Sequence, residues 1–244
     1  MEKLTASDIK WIRSLSDKSA RKTEGCFIVE GPKMVTECLI QQRFEIVMIV
    51  IDSSQPNGIE IPESCSIKSC SPKDLQRISR FKSAPSILAI LRKPAFNPPI
   101  HAKRVICLDN IQDPGNLGTI IRIADWFGIQ EIVASEKTVD YLNSKTIQAS
   151  MGSIFRVSIT YTNLSVFLKN KTTPIYGAVM DGSPIQEITM ETEGILVIGN
   201  EGKGISSDII PYLTQRVSIP RFGGAESLNA AIACGILVAK WNRL

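Results

Sequence analysis

Three stretches in the second half of this 244-residue chain carry polar side chains that plain connectors would not need. In LDNIQDPGNLGTIIRIADWFG (108–128) these are Asn116 and Arg122. In ILVIGNEGKGIS (195–206) they are Asn200 and Glu201, set among Gly199, Gly202 and Gly204. In IPRFGGAESLNAAIACGILVAKW (219–241) they are Ser227 and Asn229, behind Gly223 and Gly224. Neither His nor Cys stands in any of the three turns, so no obvious proton acceptor or thiol nucleophile is on offer. Amides, a carboxylate, a hydroxyl and a guanidinium orient substrates and stabilise developing charge. Familiar nucleotide loops fail on spacing. GNEGKGIS has Gly and Lys in the wrong order for GxxxxGK[ST], and Ser207 stands where GxGxxG needs its third Gly.

The elements that must position these turns follow from the apolar pattern. From 104 onward, strands are expected at 104–109, 131–134, 174–180, 195–199 and 216–219, with helices at 117–127, 141–149 and 227–241. Continuous apolar runs such as VICLD and ILVIG suit a parallel sheet buried on both faces. Asn116 is placed to cap the first helix, with Gly128 just past its end. Leu117, Ile120, Ile121, Ala124 and Phe127 form its core stripe, and Arg122 as a mere surface residue would pair with Asp125. Ser227 reads as an N-cap, whereas Asn229 in the first turn adds little to a helix and suggests a contact elsewhere.

The front of the chain alternates helix and strand: helices at 7–15, 32–41 and 72–80, strands at 27–29, 46–51 and 86–91. Ser71 caps the third helix, with Pro72 at its first position. This is a small α/β sandwich. KPAFNPP (93–99) holds three prolines and reads as a linker. The expected organisation is therefore a domain over 1–93, a linker over 94–102 and a second domain over 103–244.

Composition sets the class. Apolar residues at 43% and charged residues at 21% are ordinary for a globular protein. No apolar run is long enough for a membrane span, and MEKLTASDIKW lacks the apolar stretch of a signal peptide, so the expected location is the cytoplasm. The six cysteines are scattered and there is one histidine, His101, so neither a zinc pattern nor a His-rich metal site is expected. Residues 1–100 hold 15 Lys and Arg against 11 Asp and Glu, while 101–244 balance at 13 each. An RNA-facing front domain on a charge-balanced catalytic domain would look like this, although ordinary domains often carry such a surplus.

Taken in order, the three segments resemble the three motifs of the SpoU (TrmH) class of SPOUT methyltransferases, and ASMGS (149–153) resembles the stretch between the first two. RKTEGCFIVEGPKMVTECL resembles the start of the substrate-binding domain, similar to L30e and L7Ae proteins, that precedes many of their catalytic domains. The resemblance implies an α/β fold with a deep trefoil knot, a homodimer, and methyl transfer from S-adenosylmethionine to a ribose 2′-hydroxyl of RNA. It implies 23S rRNA over tRNA and neither metal nor membrane. It places Asn116, Arg122, Glu201, Ser227 and Asn229 in catalysis, with Glu201 holding Arg122. Gly199, Asn200, Gly202, Gly204, Ile219 and Leu228 line the cofactor pocket, and Arg21, Lys22 and Lys33 lie near RNA. Because a guanidinium stays protonated, Arg122 suits stabilising an alkoxide or clamping a phosphate better than removing a proton. Two other classes compete: a non-catalytic RNA- or ribosome-binding protein on the same scaffold, and a dehydrogenase-like enzyme, which the failed GxGxxG disfavours.

Overall fold

The structure is a computed structural model describing residues 1–54, 58–94 and 102–243. His101 and most of the expected 94–102 linker lie outside the described residues. The chain divides into two compact units, Met1–Asn97 with Leu142–Ile147, and Pro98–Tyr141 with Gln148–Leu244.

The first unit runs β1 (Glu2–Lys3), α1 (Ala6–Ser14), α2 (Lys18–Glu24), β2 (Cys26–Glu30), α3 (Pro32–Gln41), β3 (Glu45–Asp52), β4 (Ile67–Cys70), α4 (Pro72–Ile78) and β5 (Ile87–Arg92). Its strands order as β1-β4-β3-β5-β2. The pairs β1–β4 and β3–β4 are parallel, and β5 runs antiparallel to both β2 and β3. Local chemistry sets the boundaries. Thr5 and Asp8 form a capping box at the start of α1. Asp17 caps α2, which ends at Gly25 with φ of 65°. Ser71 caps α4, with Pro72 in its first turn. Ile12, Val50, Leu75, Ile78, Leu88 and Ile90 are among the core residues.

The second unit runs β6 (Arg104–Leu108), α5 (Pro114–Trp126), β7 (Glu131–Ser135), the end of α6 (Ser144–Ser150, whose first four residues fall in the first unit), β8 (Ser158–Thr162), α7 (Leu164–Lys169), β9 (Ile175–Pro184), β10 (Gly194–Ile198), β11 (Gln215–Ser218) and α8 (Ala230–Trp241). Its sheet is parallel throughout, in the order β11-β9-β10-β6-β7-β8. The chain builds outward from β6 to β8, then crosses to the other side and inserts β10 beside β6. A sheet that reverses direction in this way opens a crevice at the carboxyl ends of the strands flanking the switch. All five residues of β10 are buried, as the parallel reading requires. Helices α5 and α8 pack together, and Gly235 brings α8 close to Ile123.

Several elements depart from the sequence expectation. Strands β1, β4 and β8 and helices α2 and α7 were not expected; each is short and lacks a full apolar period. Helix α5 begins at Pro114, not 117, because Asp113 rather than Asn116 is its cap. Helix α8 begins at Ala230, not 227, because Asn229 rather than Ser227 caps it.

All six cysteines are free, and all but Cys65 are buried. Burial pushes the thiols of Cys38 and Cys234 up to about 12 and that of Cys70 to about 11. Cys107 is raised further by the same cause. Among the described residues, no helix is long and apolar enough to cross a membrane.

Candidate active site

The strands on either side of the switch point deliver the first two turns. Beyond Leu108, the N–H of Asp109 donates to the Ile198 carbonyl at 2.9 Å, so the ends of β6 and β10 stay joined. Asp109 is buried, and its Oδ2 accepts from both the N–H (2.7 Å) and the hydroxyl (2.6 Å) of Ser206. This ties the far end of the GNEGKGIS loop to β6. Asn110, in the left-handed region at φ of 59°, donates to Ser206 Oγ at 3.1 Å and accepts from Ser135 Oγ at 3.1 Å. Neither Asp109, Asn110 nor Ser206 was singled out from the sequence. The Asp-Asn pair closing a buried strand was the available signal, since ionised side chains seldom end buried strands without partners.

The second turn is a tight loop. Asn200 and Gly204 exchange both backbone hydrogen bonds, at 3.0 and 2.9 Å. Asn200 Oδ1 accepts from the N–H groups of Gly202 and Lys203, both at 3.0 Å. Gly199 is required by this closure: a Cβ there would sit 2.3 Å from the Gly204 carbonyl carbon. Asn200 Nδ2 donates to the Asn110 carbonyl at 2.8 Å.

The three turns meet in one polar relay. Glu201 Oε1 accepts from Asn116 Nδ2 at 2.7 Å, and Glu201 Oε2 from Asn200 Nδ2 at 3.4 Å. Asn116 Oδ1 accepts from Asn229 Nδ2 at 2.8 Å. Asn229 Oδ1 accepts from the N–H groups of Ala231 and Ile232, at 2.9 and 3.3 Å. The direction of the relay is forced. A carboxylate only accepts, so Asn116 turns its amide nitrogen to Glu201 and its oxygen to Asn229. Asn229 then donates, which leaves its oxygen to cap α8. Asn229 is thus both cap and contact.

Other expected residues fall differently. Arg122 is exposed on α5 and makes no hydrogen bond or ion pair among the described residues. It does not pair with Asp125, whose carboxylate is taken by Arg156 (2.8 Å) and Ser153 (2.7 Å). Glu201 does not hold Arg122 either, being occupied by the two asparagines. Ser227 is exposed and carries no cap hydrogen bond. In the first unit, Lys22 and Lys33 are exposed, but Arg21 is buried. Its Nη1 donates to the carbonyls of Leu15 and Ser16, at 3.0 and 2.8 Å, closing the end of α1. A side chain spent this way does not face RNA.

The crevice suits a ligand held by backbone groups. Residues 221–229 are all exposed, and in the described structure no backbone N–H between Phe222 and Leu228 finds a protein partner. A Cβ at Gly223 or Gly224 would meet nothing within 4 Å. Gly199 directly follows β10, Ile219 directly follows β11, and Leu228 lies within this open loop. A compact, polar, sulfonium-bearing ligand such as S-adenosylmethionine fits that donor set. Among the described residues, no cluster of His, Cys, Asp or Glu side chains could hold a metal ion.

A parallel sheet whose strand order reverses beside β6, with three Gly- and Asn-rich turns joined by one hydrogen-bonded relay at the switch point, defines a methyltransferase domain of the SPOUT type. Residues 103–239 match the SpoU rRNA methylase family, and residues 6–89 match the MRM3-like substrate binding domain. The chain belongs to the SpoU rRNA methylase family. It is 32% identical over 235 residues to RlmP of Bacillus subtilis, a 23S rRNA (guanosine(2553)-2′-O)-methyltransferase, with 94% of each chain covered. Among solved structures, a TrmH-family protein from Porphyromonas gingivalis is 36% identical, with a TM-score of 0.90 and 98% of each chain covered. An AdoMet-bound rRNA methyltransferase from Sinorhizobium meliloti is 27% identical, with a TM-score of 0.88 over 100% of this chain and 97% of that one.

Proposed function

We propose that this chain methylates a ribose 2′-hydroxyl of 23S rRNA, in the cytoplasm, with S-adenosylmethionine as donor. The observation that carries the reading is the relay Asn229–Asn116–Glu201, which joins all three turns at the switch point. S-adenosylmethionine, when bound, supplies a methyl group on a sulfonium leaving group. The backbone around Gly199, Asn200, Gly202, Gly204, Ile219 and Leu228 holds it. The relay fixes the three turns against one another, so the ribose oxygen is offered in one orientation. Ser227, exposed beside this site, orients the ribose. The chain returning from β11 to place Asn229 on Asn116 is consistent with a threaded, knotted connection.

Arg122 stands apart from the relay, on an exposed edge of α5. Trp126 on the same helix is 81% exposed, and Ile232 and Ile236 on the neighbouring α8 are 55% and 40% exposed. A second copy of the chain covering these side chains makes a homodimer and brings Arg122 into the assembled site. There its guanidinium stabilises the developing alkoxide or clamps the adjacent phosphate.

The test is methyl incorporation into a 23S rRNA transcript, with sites mapped by 2′-O-methyl profiling and compared with tRNA. One new rRNA site is expected. Incorporation only into tRNA would move the substrate to tRNA, and rRNA binding without incorporation would favour the non-catalytic scaffold. Arg122→Lys is expected to lower turnover roughly ten-fold at saturating donor, since a lysine lacks the forked geometry. Near-normal turnover would remove the clamp role.

A further inference from the structure

Gly31 and Pro32 are explained by the start of α3, but Glu30 before them is not. It ends β2 as a carboxylate only 8% exposed. Its partners both lie just beyond α4. Glu30 Oε2 accepts from Ser79 Oγ at 2.5 Å, and Oε1 accepts from the Arg80 N–H at 2.9 Å. The same segment is fixed again by Gln76, which donates to the Phe81 carbonyl at 3.1 Å and accepts from the Ala84 N–H at 2.9 Å. The Phe81 N–H donates to Ser79 Oγ at 3.0 Å. Residues 79–84 are therefore an irregular loop held as firmly as a regular element.

What this rigid loop presents is Arg80, Phe81 and Lys82, all exposed. Arg80 Nη2 donates to the Arg13 carbonyl at 2.8 Å, which brings Arg80 to the end of α1 beside Arg13. Among the described residues, the side chains of Arg13 and Lys82 have no partner. Burial, together with the charges of Arg13 and Arg21, pulls the Arg80 guanidinium below its usual range, while Glu30 opposes this. Cations gathered beside an exposed aromatic ring, on a loop carrying no carboxylate, match the backbone and the bases of a nucleic acid.

We infer that Arg13, Arg80, Phe81 and Lys82 form an RNA-contact site in which the cations meet phosphates, Phe81 stacks on an unpaired base, and Glu30 is the positioning residue. This rests on the RNA-methylating reading above. It replaces Arg21, which the sequence offered for the same task.

The test is binding of full-length protein to a 23S rRNA transcript across about 50 to 200 mM KCl. Arg13→Ala, Arg80→Ala and Lys82→Ala are each expected to lower the slope of log affinity against log salt by about 1. Phe81→Ala is expected to weaken binding roughly ten-fold with the slope unchanged, and Phe81→Trp to restore it. All four alanine variants should raise KM for RNA while leaving kcat at saturating RNA near wild type. Glu30→Gln should weaken binding, and adding Phe81→Ala to it should cost less than Phe81→Ala alone, a coupling that a merely structural role would not produce. Unchanged slopes and affinities in the loop variants, with the wild type binding, would overturn the inference. If the wild type does not bind the rRNA at all, the rRNA reading fails instead, and the same slopes measured on bulk tRNA decide the loop's role.

Discussion

At the residue scale, the relay has a direction, and reversing one member should be more costly than deleting it. Asn116→Asp would set a second carboxylate 2.7 Å from Glu201 Oε1. Two carboxylates at that range cannot both ionise, so the pair takes up a proton at a raised pKa. The penalty is then full above that pKa and relieved as pH falls through it. Asn116→Asp is expected to lose about 1–3 kcal/mol at pH 8 and less at pH 5 by thermal unfolding, with activity lost at the higher pH. Equal destabilisation at both pH values would show that the Asn116–Glu201 contact is not made. Asn116 read as a helix cap that Asp113 in fact supplies, whereas Asn200, Glu201 and Asn229 were legible in the sequence as side chains without a job in a turn. Their partners were not. DPGN offers two caps, and only Pro114, which suits a first helical position, favours Asp113. Arg122 and Arg21 were legible as cations, but whether a cation faces ligand or a carbonyl depends on neighbours far along the chain.

At the scale of elements, two junctions can be probed. Asp8 closes the cap of α1 and also bonds Lys68 on β4 at 2.8 Å. Burial alone would raise its carboxyl, but Lys68 and the Thr5 N–H hold it below the ordinary value. A lowered folded pKa gives stability that is present above the unfolded pKa, about 3.9, and lost as pH falls through the folded one. Asp8→Asn should therefore lower the melting temperature at pH 7, with the gap from wild type closing toward pH 2. A constant gap would remove the ionised pair. At β10, Gly199→Ala would drive a methyl group into the Gly204 backbone, and a loss of about 1–3 kcal/mol in urea unfolding is expected. The strands β3, β5, β6 and β10 were readable because each carries a continuous apolar run. Strands β4 (IKSC) and β8 (SITYT) were not, since polar residues interrupt both, and α7 is too short at six residues to show a helical period.

At the scale of the whole molecule, α5 and α8 pack on each other and still leave Trp126, Ile232 and Ile236 to solvent. Ile236→Asp is expected to turn a dimer into a monomer in sedimentation equilibrium without unfolding it, and a wild-type monomer at micromolar concentration would end the dimer reading. The cysteines have a separate consequence. A thiol reacts as its thiolate, and here burial both shields the sulfur and holds its proton. Cys26, Cys38 and Cys70 report from the first unit, and Cys107 and Cys234 from the second. In alkylating reagent, Cys65 should be marked at once, and every other position only when its own neighbourhood breathes open. The native chain is thus wired with five chemical stopwatches, and mass spectrometry of one time course would rank the opening frequencies of both units without adding a label.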